Sequence, residues 1–291
     1  MIFKRLIDMK KIYLALLLVF LACFAYCQEE IKLVILHTND MHSQVETFPE
    51  SAGGYSAGNG GMVRIATYVN QVRAEEKNVI VLDAGDFSQG SPYYNLFSGK
   101  AEVAMMNAIG YDAGTFGNHE FDLGMDNLLE LVKLANFPFI NANYDLSGTV
   151  LKDCVQPYII IKKDKLKIGV FGLGTRLKGL TFEKYFEGIK FKNTFETANE
   201  MAEILKNKEK CDLVICLSHL GFDGGGESEI NDAALAKQSE FIDVIIGGHS
   251  HTYLEKPQEV TNKIGKTVRI AQTGSKGINV GRLDLLFNKK Q

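Results

Sequence analysis

Proline is scarce, at five residues in 291, and no stretch is rich in it, so a Pro-rich linker architecture is excluded. Cysteine is as scarce. Only Cys154, Cys211 and Cys216 lie beyond the first thirty residues, and three thiols cannot build a full disulfide framework. Cys211 and Cys216 flank or lie in an apolar run, where a free thiol packs as a small hydrophobe. An excess of basic charge is missing too: 32 Lys and Arg stand against 35 acids, a formal net charge of −3. That balance argues against nucleic acid held on a basic surface. There is no long charge run, no internal repeat and no low-complexity block. No apolar run reaches the about 20 residues that a comfortable membrane span needs.

What is present begins with the N-terminus. Lys4, Arg5, Lys10 and Lys11 precede the apolar run 12–22, and small or polar residues follow. A basic segment before about 7–15 apolar residues is the pattern of an export signal. Residues 1–27 are therefore expected to be a signal peptide, with 28–291 forming one domain in the periplasm or cell envelope. An uncleaved N-terminal anchor helix is the alternative. Cys23 follows Phe20-Leu21-Ala22. This resembles a bacterial lipoprotein box at Ala22 and departs from it at Phe20, which leaves a lipid anchor as an open alternative.

Along the rest of the chain, strand-like and helix-like stretches alternate. Residues 31–37 and 79–82 are short apolar runs of the buried-strand kind. Residues 62–77 carry Val63, Ala66, Val69 and Val72 at helical spacing, and 101–109, 125–135, 194–208 and 232–239 read as further helices. Residues 138–141, 212–217 and 242–246 read as strands, and 158–161 with 166–173 as a hairpin. The end, 268–272 and 278–287, is strand without helix. Alternating βα units with a β-only ending imply a mixed two-sheet α/β domain. The Gly-rich loop 53–61 could cover a site or be a solvated insertion, and Gly224-Gly225-Gly226 poses the same choice.

Five of the six histidines fall in short polar islands at the ends of apolar runs. These are Asp40-Met41-His42, Gly85-Asp86, Gly117-Asn118-His119-Glu120, His219, and Gly248-His249-Ser250-His251. Open α/β sheets build their sites at strand ends, so this concentration argues for a dinuclear metal centre. Asp-x-His would present two ligands on one side of an extended chain. Carboxylate plus imidazole suits zinc, manganese or iron. Asp86 has two oxygens with which to bridge, Asn118 offers a neutral carbonyl, and His219, His249 and His251 complete a set of seven. Any one of these has a bland reading: His219 alone would be a satisfied core histidine, and Asp83 organises its loop. His37, inside the apolar run, is read as core or as a support behind the ligands, outside the site itself.

Together the islands resemble the motifs of the calcineurin-like metallophosphoesterases, and more narrowly the 5′-nucleotidase and UDP-sugar hydrolase family. The resemblance rests on His37-Thr38-Asn39-Asp40-Met41-His42, Asp83-Ala84-Gly85-Asp86, Gly117-Asn118-His119-Glu120-Phe121-Asp122 and Gly248-His249-Ser250-His251. It extends through Gln89-Gly90-Ser91-Pro92, Ser218-His219-Leu220-Gly221 and Gly281-Arg282-Leu283, covering about residue 30 to 287. It implies a four-layered α/β/β/α fold with two packed mixed sheets. It also implies two divalent ions, one on Asp40, His42, Asp86 and His251, the other on Asp86, Asn118, His219 and His249. His119 is similar to the family's catalytic histidine and Asp122 to its carboxylate partner. The implied activity is hydrolysis of nucleotide phosphate monoesters by metal-activated water. Two alternatives stay open: cleavage of 2′,3′-cyclic nucleotides or UDP-sugars, and a non-catalytic metal-binding half of a split enzyme. Many relatives carry a C-terminal domain that grips the nucleoside, so a separate substrate-domain protein is an expected partner.

Overall fold

The computed structural model describes residues 28–223 and 230–290. The expected signal, the lipidation site and the triple glycine lie outside the described residues. By internal contacts the described residues form two units, one of residues 28–33 and 284–290, the other Val34–Leu283. In the smaller, Lys32 Nζ meets Asp284 Oδ2 at 2.8 Å. The larger carries every polar island.

In chain order, β1 (Gln28–Thr38) leads through two short 3-10 turns to α1 (Met62–Glu75) and β2 (Val79–Asp83). Helices α2 (Pro92–Phe97) and α3 (Lys100–Ile109) precede the two-residue β3 (Ala113–Gly114), and α4 (Gly124–Leu134) follows it. Next come β4 (Tyr144–Asp145), β5 (Tyr158–Lys163), β6 (Leu166–Gly174), β7 (Lys190–Phe191), α5 (Thr194–Glu203) and β8 (Leu213–His219). Helix α6 (Asp232–Gln238), β9 (Val244–Ile246), β10 (Gln258–Thr261), β11 (Thr267–Ala271) and β12 (Gly281–Lys290) complete the series.

One sheet has the order β12-β1-β2-β3, with β1–β2 and β2–β3 parallel. The other, β10-β11-β9-β8-β6-β5, is mixed: a parallel centre flanked by the antiparallel strands β10 and β5. Val34 and Leu36 of β1 join one apolar cluster with Val69, Met106 and Leu131 of the helices. Val214 and Cys216 of β8 join another with Ala198, Met201 and Leu235. Alternate strand residues point the opposite way. Yet Ile35, Ile80, Leu82, Ile168, Ile215, Leu217 and Ile246 are all 0% exposed. Both faces of the central strands of each sheet are buried, as an α/β/β/α stack requires.

Several elements differ from the sequence reading. Helix α1 buries Met62, Ile65, Val69 and Val72, whereas Val63 is 64% exposed. The true stripe, spaced 3-4-3, lies one residue from the expected start of the face. Helix α2 is too short for periodicity to reveal; its marks are Pro92 in the first turn and Ser91, whose Oγ accepts from Tyr93 N at 3.2 Å. Residues 138–141 form only isolated bridges, Phe139 with Gly114 and Ile140 with Gln156. The helix expected over 194–208 tightens into α5 and then widens into a π-turn over Ile204–Lys208.

Candidate metal centre

Every island sits just past the carboxyl end of a strand: Asp40 and His42 after β1, Asp86 after β2, Asn118 and His119 after β3, His219 ending β8, His249 and His251 after β9. The first two islands are zipped together. Asp40 N donates to Gly85 O, His42 N to Asp86 O and Ser43 N to Phe87 O, each at 2.9 Å. The backbone here is not extended. Asp40, His42, Asp86, His249 and His251 have φ of 50°, 45°, 56°, 73° and 53°, the left-handed region. Asp40 and His42 are thus brought together by a turn, not by strand alternation as the Asp-x-His spacing suggested. Each such residue costs about 1–3 kcal/mol, a strain that clusters at functional sites.

The side chains converge. His42 Nε2 and His251 Nε2 lie 2.8 Å apart, with Asp40 Oδ1 3.9 and 3.4 Å from them. His219 Nε2 is 3.0 Å from Asp86 Oδ2 and 3.9 Å from Asp40 Oδ1. His219 and His249 meet edge-to-face, ring centroids 5.2 Å apart, as do His42 and His119. Three groups of potential ligand atoms each fall within 4.8 Å of one another: Asp40, His42 and His251; His42, Asp86 and His119; Asp86, His219 and His249. Asp86 belongs to two of them. No carboxylate or imidazole from the sequence-derived set is left apart. Asp40 and His219 are closed off, whereas His251 is 44% exposed, so the centre opens on the His251 side.

Two glycines make the convergence sterically feasible. A Cβ on Gly117 would collide with the Asp86 carboxylate and with His219 Nε2. One on Gly248 would stand 2.8 Å from His219 Nδ1 and 3.0 Å from Ala84 O.

Burial opposes charge on His219, but Asp86, with Asp40 behind it, outweighs burial and lifts the imidazole to about 10. Burial likewise would raise Asp86, yet His219 and His119 hold it well below the carboxylate range. His42 is pushed down to about 4 by burial and His249 also falls, burial first and His219 second. The centre therefore sets carboxylates beside imidazoles, of which His42 and His249 are held back from protonation, and this is a set of donors suited to divalent cations. Two further observations fit cations. Asn118 Oδ1 is buried with no hydrogen-bond partner. His219 Nδ1 lies 2.7 Å from Ala84 O, which fixes Nδ1 as the donor in the neutral ring and leaves Nε2 as the lone-pair face.

His119 is placed differently. Its backbone N donates to Asp86 Oδ1 at 2.9 Å, and Nδ1 meets Asp122 Oδ2 at 2.6 Å. Burial lowers its basicity, but the Asp122 bond and Asp86 more than compensate, so its pKa is raised. With Nδ1 engaged, Nε2 is the edge free to exchange a proton.

Sequence reasoning missed the residues that hold the candidate ligands in place. Glu120, fully buried, accepts from Gly117 N at 2.7 Å, Asp86 N at 3.0 Å and Ser88 N at 3.2 Å, tying two islands together. Asn39 donates to Asp40 Oδ2 at 2.7 Å and accepts from Thr273 N at 2.9 Å. Gln272 donates to Gly248 O at 2.7 Å and accepts from Ser250 Oγ at 2.9 Å. Only Glu120 carried a signal, a carboxylate beside two island residues. Asp83 accepts from Gly85 N at 3.0 Å and Thr38 Oγ1 at 2.6 Å, a loop-organising position. His37 is buried and belongs to none of the ligand groups.

A family model described as calcineurin-like phosphoesterase matches residues 33–253. The chain is 33% identical to the trifunctional nucleotide phosphoesterase protein YfkN of Bacillus subtilis, over 89% of this chain and 18% of that protein. It is 32% identical to the snake venom 5′-nucleotidase of Crotalus adamanteus, over 93% of this chain and 48% of the relative. Among solved structures, the 5′-nucleotidase precursor from Thermus thermophilus superposes with a TM-score of 0.79 at 32% identity, covering 89% of this chain and 52% of that one. The chain thus spans about half the length of the last two, and less of the first.

Proposed function

Since the chain belongs to the calcineurin-like phosphoesterase family, we propose that it is an exported, 5′-nucleotidase-like phosphohydrolase that holds two divalent ions and cleaves phosphate monoesters of nucleotides. Asp40, His42, Asp86 and His251 would hold one ion and Asp86, Asn118, His219 and His249 the other, with zinc, manganese or iron suiting these donors. The observation that carries the reading is the convergence of three overlapping ligand groups with Asp86 common to two. Bound divalent ions would offset phosphoryl charge and make a coordinated water more acidic.

The remaining chemistry belongs to this chain's own residues. His119, with Nδ1 on Asp122, presents Nε2 to protonate the departing alkoxide. Its position beside Asn118 lets the two donate to a phosphoryl oxygen as charge builds there. Glu120 keeps Gly117 and Asp86 in register while this happens. No serine or cysteine nucleophile is required, so no phosphoenzyme forms.

Chelator-treated protein titrated with zinc, manganese or ferrous ion should take up two equivalents per chain and release phosphate from nucleoside monophosphates. Uptake of a single equivalent would remove the dinuclear part, and no phosphate release at any loading would remove the hydrolase part. Export is tested by fractionation, with the protein expected in the periplasm or envelope. A separate substrate-domain partner, the remaining part of the proposal, should copurify from that fraction.

A further inference from the structure

A half-buried lysine beside the centre has no role in the chemistry above. Lys276 lies in the loop between β11 and β12, at φ 62°, with its backbone N donating to Asp40 O at 2.8 Å. The loop is thus pinned to a ligand-bearing residue in a conformation a lysine seldom adopts. Its side chain runs to Gly90: a Cβ there would stand 3.0 Å from Lys276 Nζ and equally close to the His42 carbonyl oxygen. Among the described residues, no carboxylate or carbonyl accepts from this ammonium. Half-buried cations normally find a partner in the fold.

Gly90 lines a cleft of about 450 Å³ together with Pro92, Tyr94, Asn95, Asp122 and Leu123. Asp122 is the residue that orients His119. Ser91 Oγ, 2.6 Å from Ser43 Oγ, fastens the wall of this cleft to the His42 loop. A leaving group protonated by His119 must sit on the His119 side of the scissile phosphorus, and this cleft adjoins that side. Tyr94, Pro92 and Leu123 offer it apolar surface, and the Lys276 ammonium lies against Gly90, one of its lining residues.

We propose that Lys276 is a specificity-determining residue that binds an anionic group, phosphate or carboxylate, on the leaving portion of the substrate. The inference rests on the phosphohydrolase reading. It implies a preference for leaving groups that keep a negative charge over neutral alcohols of the same size.

The test compares phenyl phosphate, 3-carboxyphenyl phosphate and a nucleoside diphosphate on the metal-loaded protein and on Lys276→Ala and Lys276→Arg. Loss of a charge-assisted hydrogen bond should cost the charged substrates about tenfold more in kcat/KM than phenyl phosphate, and Lys276→Arg should recover most of it. Loss confined to one charged substrate also supports the proposal and identifies the anion as phosphate or carboxylate. Equal losses on all three, or none on any, would overturn it. Calorimetry provides a readout without turnover: Lys276→Ala should weaken pyrophosphate about tenfold more than inorganic phosphate. Should the unaltered protein release no phosphate from phenyl phosphate, the hydrolase reading falls. The pyrophosphate measurement then still decides whether Lys276 is an anion receptor.

Discussion

Asp83 shows how a buried carboxyl near the centre shapes stability. It is 0% exposed, and burial pushes its pKa up to about 8 against about 3.9 for an unfolded chain. Between those values the folded protein holds a proton that the unfolded chain releases, so stability falls as pH rises from about 4 to about 8. Asp83→Asn keeps an acceptor for Gly85 N and removes the titration. Urea denaturation at pH 5 and pH 8 should show the parent losing stability relative to the variant as pH rises; a gap that does not widen would mean Asp83 is charged in the fold. His119→Ala concerns chemistry alone. Turnover should fall roughly 10²–10⁴-fold with metal content intact, read by phosphate release alongside elemental analysis. Parallel loss of metal would instead make His119 a ligand, as its place beside His42 and Asp86 permits.

At the level of elements, contact between β6 and the segment ending the first sheet hangs on Gly172. A Cβ there would collide with Ile140 O and come 2.7 Å from Thr115 Oγ1. Backbone occupies both sides: Ala142 N donates to Gly172 O at 2.8 Å. Gly172→Ala should destabilise by about 1–3 kcal/mol through overpacking, visible as a lower denaturation midpoint with an unchanged slope. Nothing in the sequence marks this glycine, because the atoms that exclude a side chain come from distant parts of the chain. The same limit explains what was and was not legible. Strands β1, β2, β8 and β9 announced themselves as apolar runs whose ends carried the ligand candidates. Strand β10 did not, since its residues are largely exposed and show no alternation. The seven ligand candidates were readable because their chemistry is confined to few residue types. Asn39, Glu120 and Gln272 escaped because an amide or carboxylate that bonds to backbone looks like any polar residue until its partners are placed.

Across the whole molecule the centre draws on both sheets. Asp40, Asp86 and Asn118 follow strands of one, and His219, His249 and His251 follow strands of the other. Ions bound there would link the two sheets and stabilise the fold by mass action. At a free ion concentration about a hundred times its Kd, one site contributes about 2.7 kcal/mol. Chelation should therefore lower the thermal midpoint, and readdition of metal should restore it in a concentration-dependent way. A midpoint indifferent to metal would show that the ligand loops are held by the protein alone.

His219 aligns with Gly174 in the β8–β6 ladder while its ring reaches Ala84 O across to the other sheet. A slip of β8 by one position would reverse which side chains face inward, setting a serine or a leucine where the imidazole belongs. Such a misthreaded chain could still bury its valines and isoleucines, but it would present no cage. Cation uptake would thus proofread the alignment of a buried strand, rewarding the correctly assembled form alone.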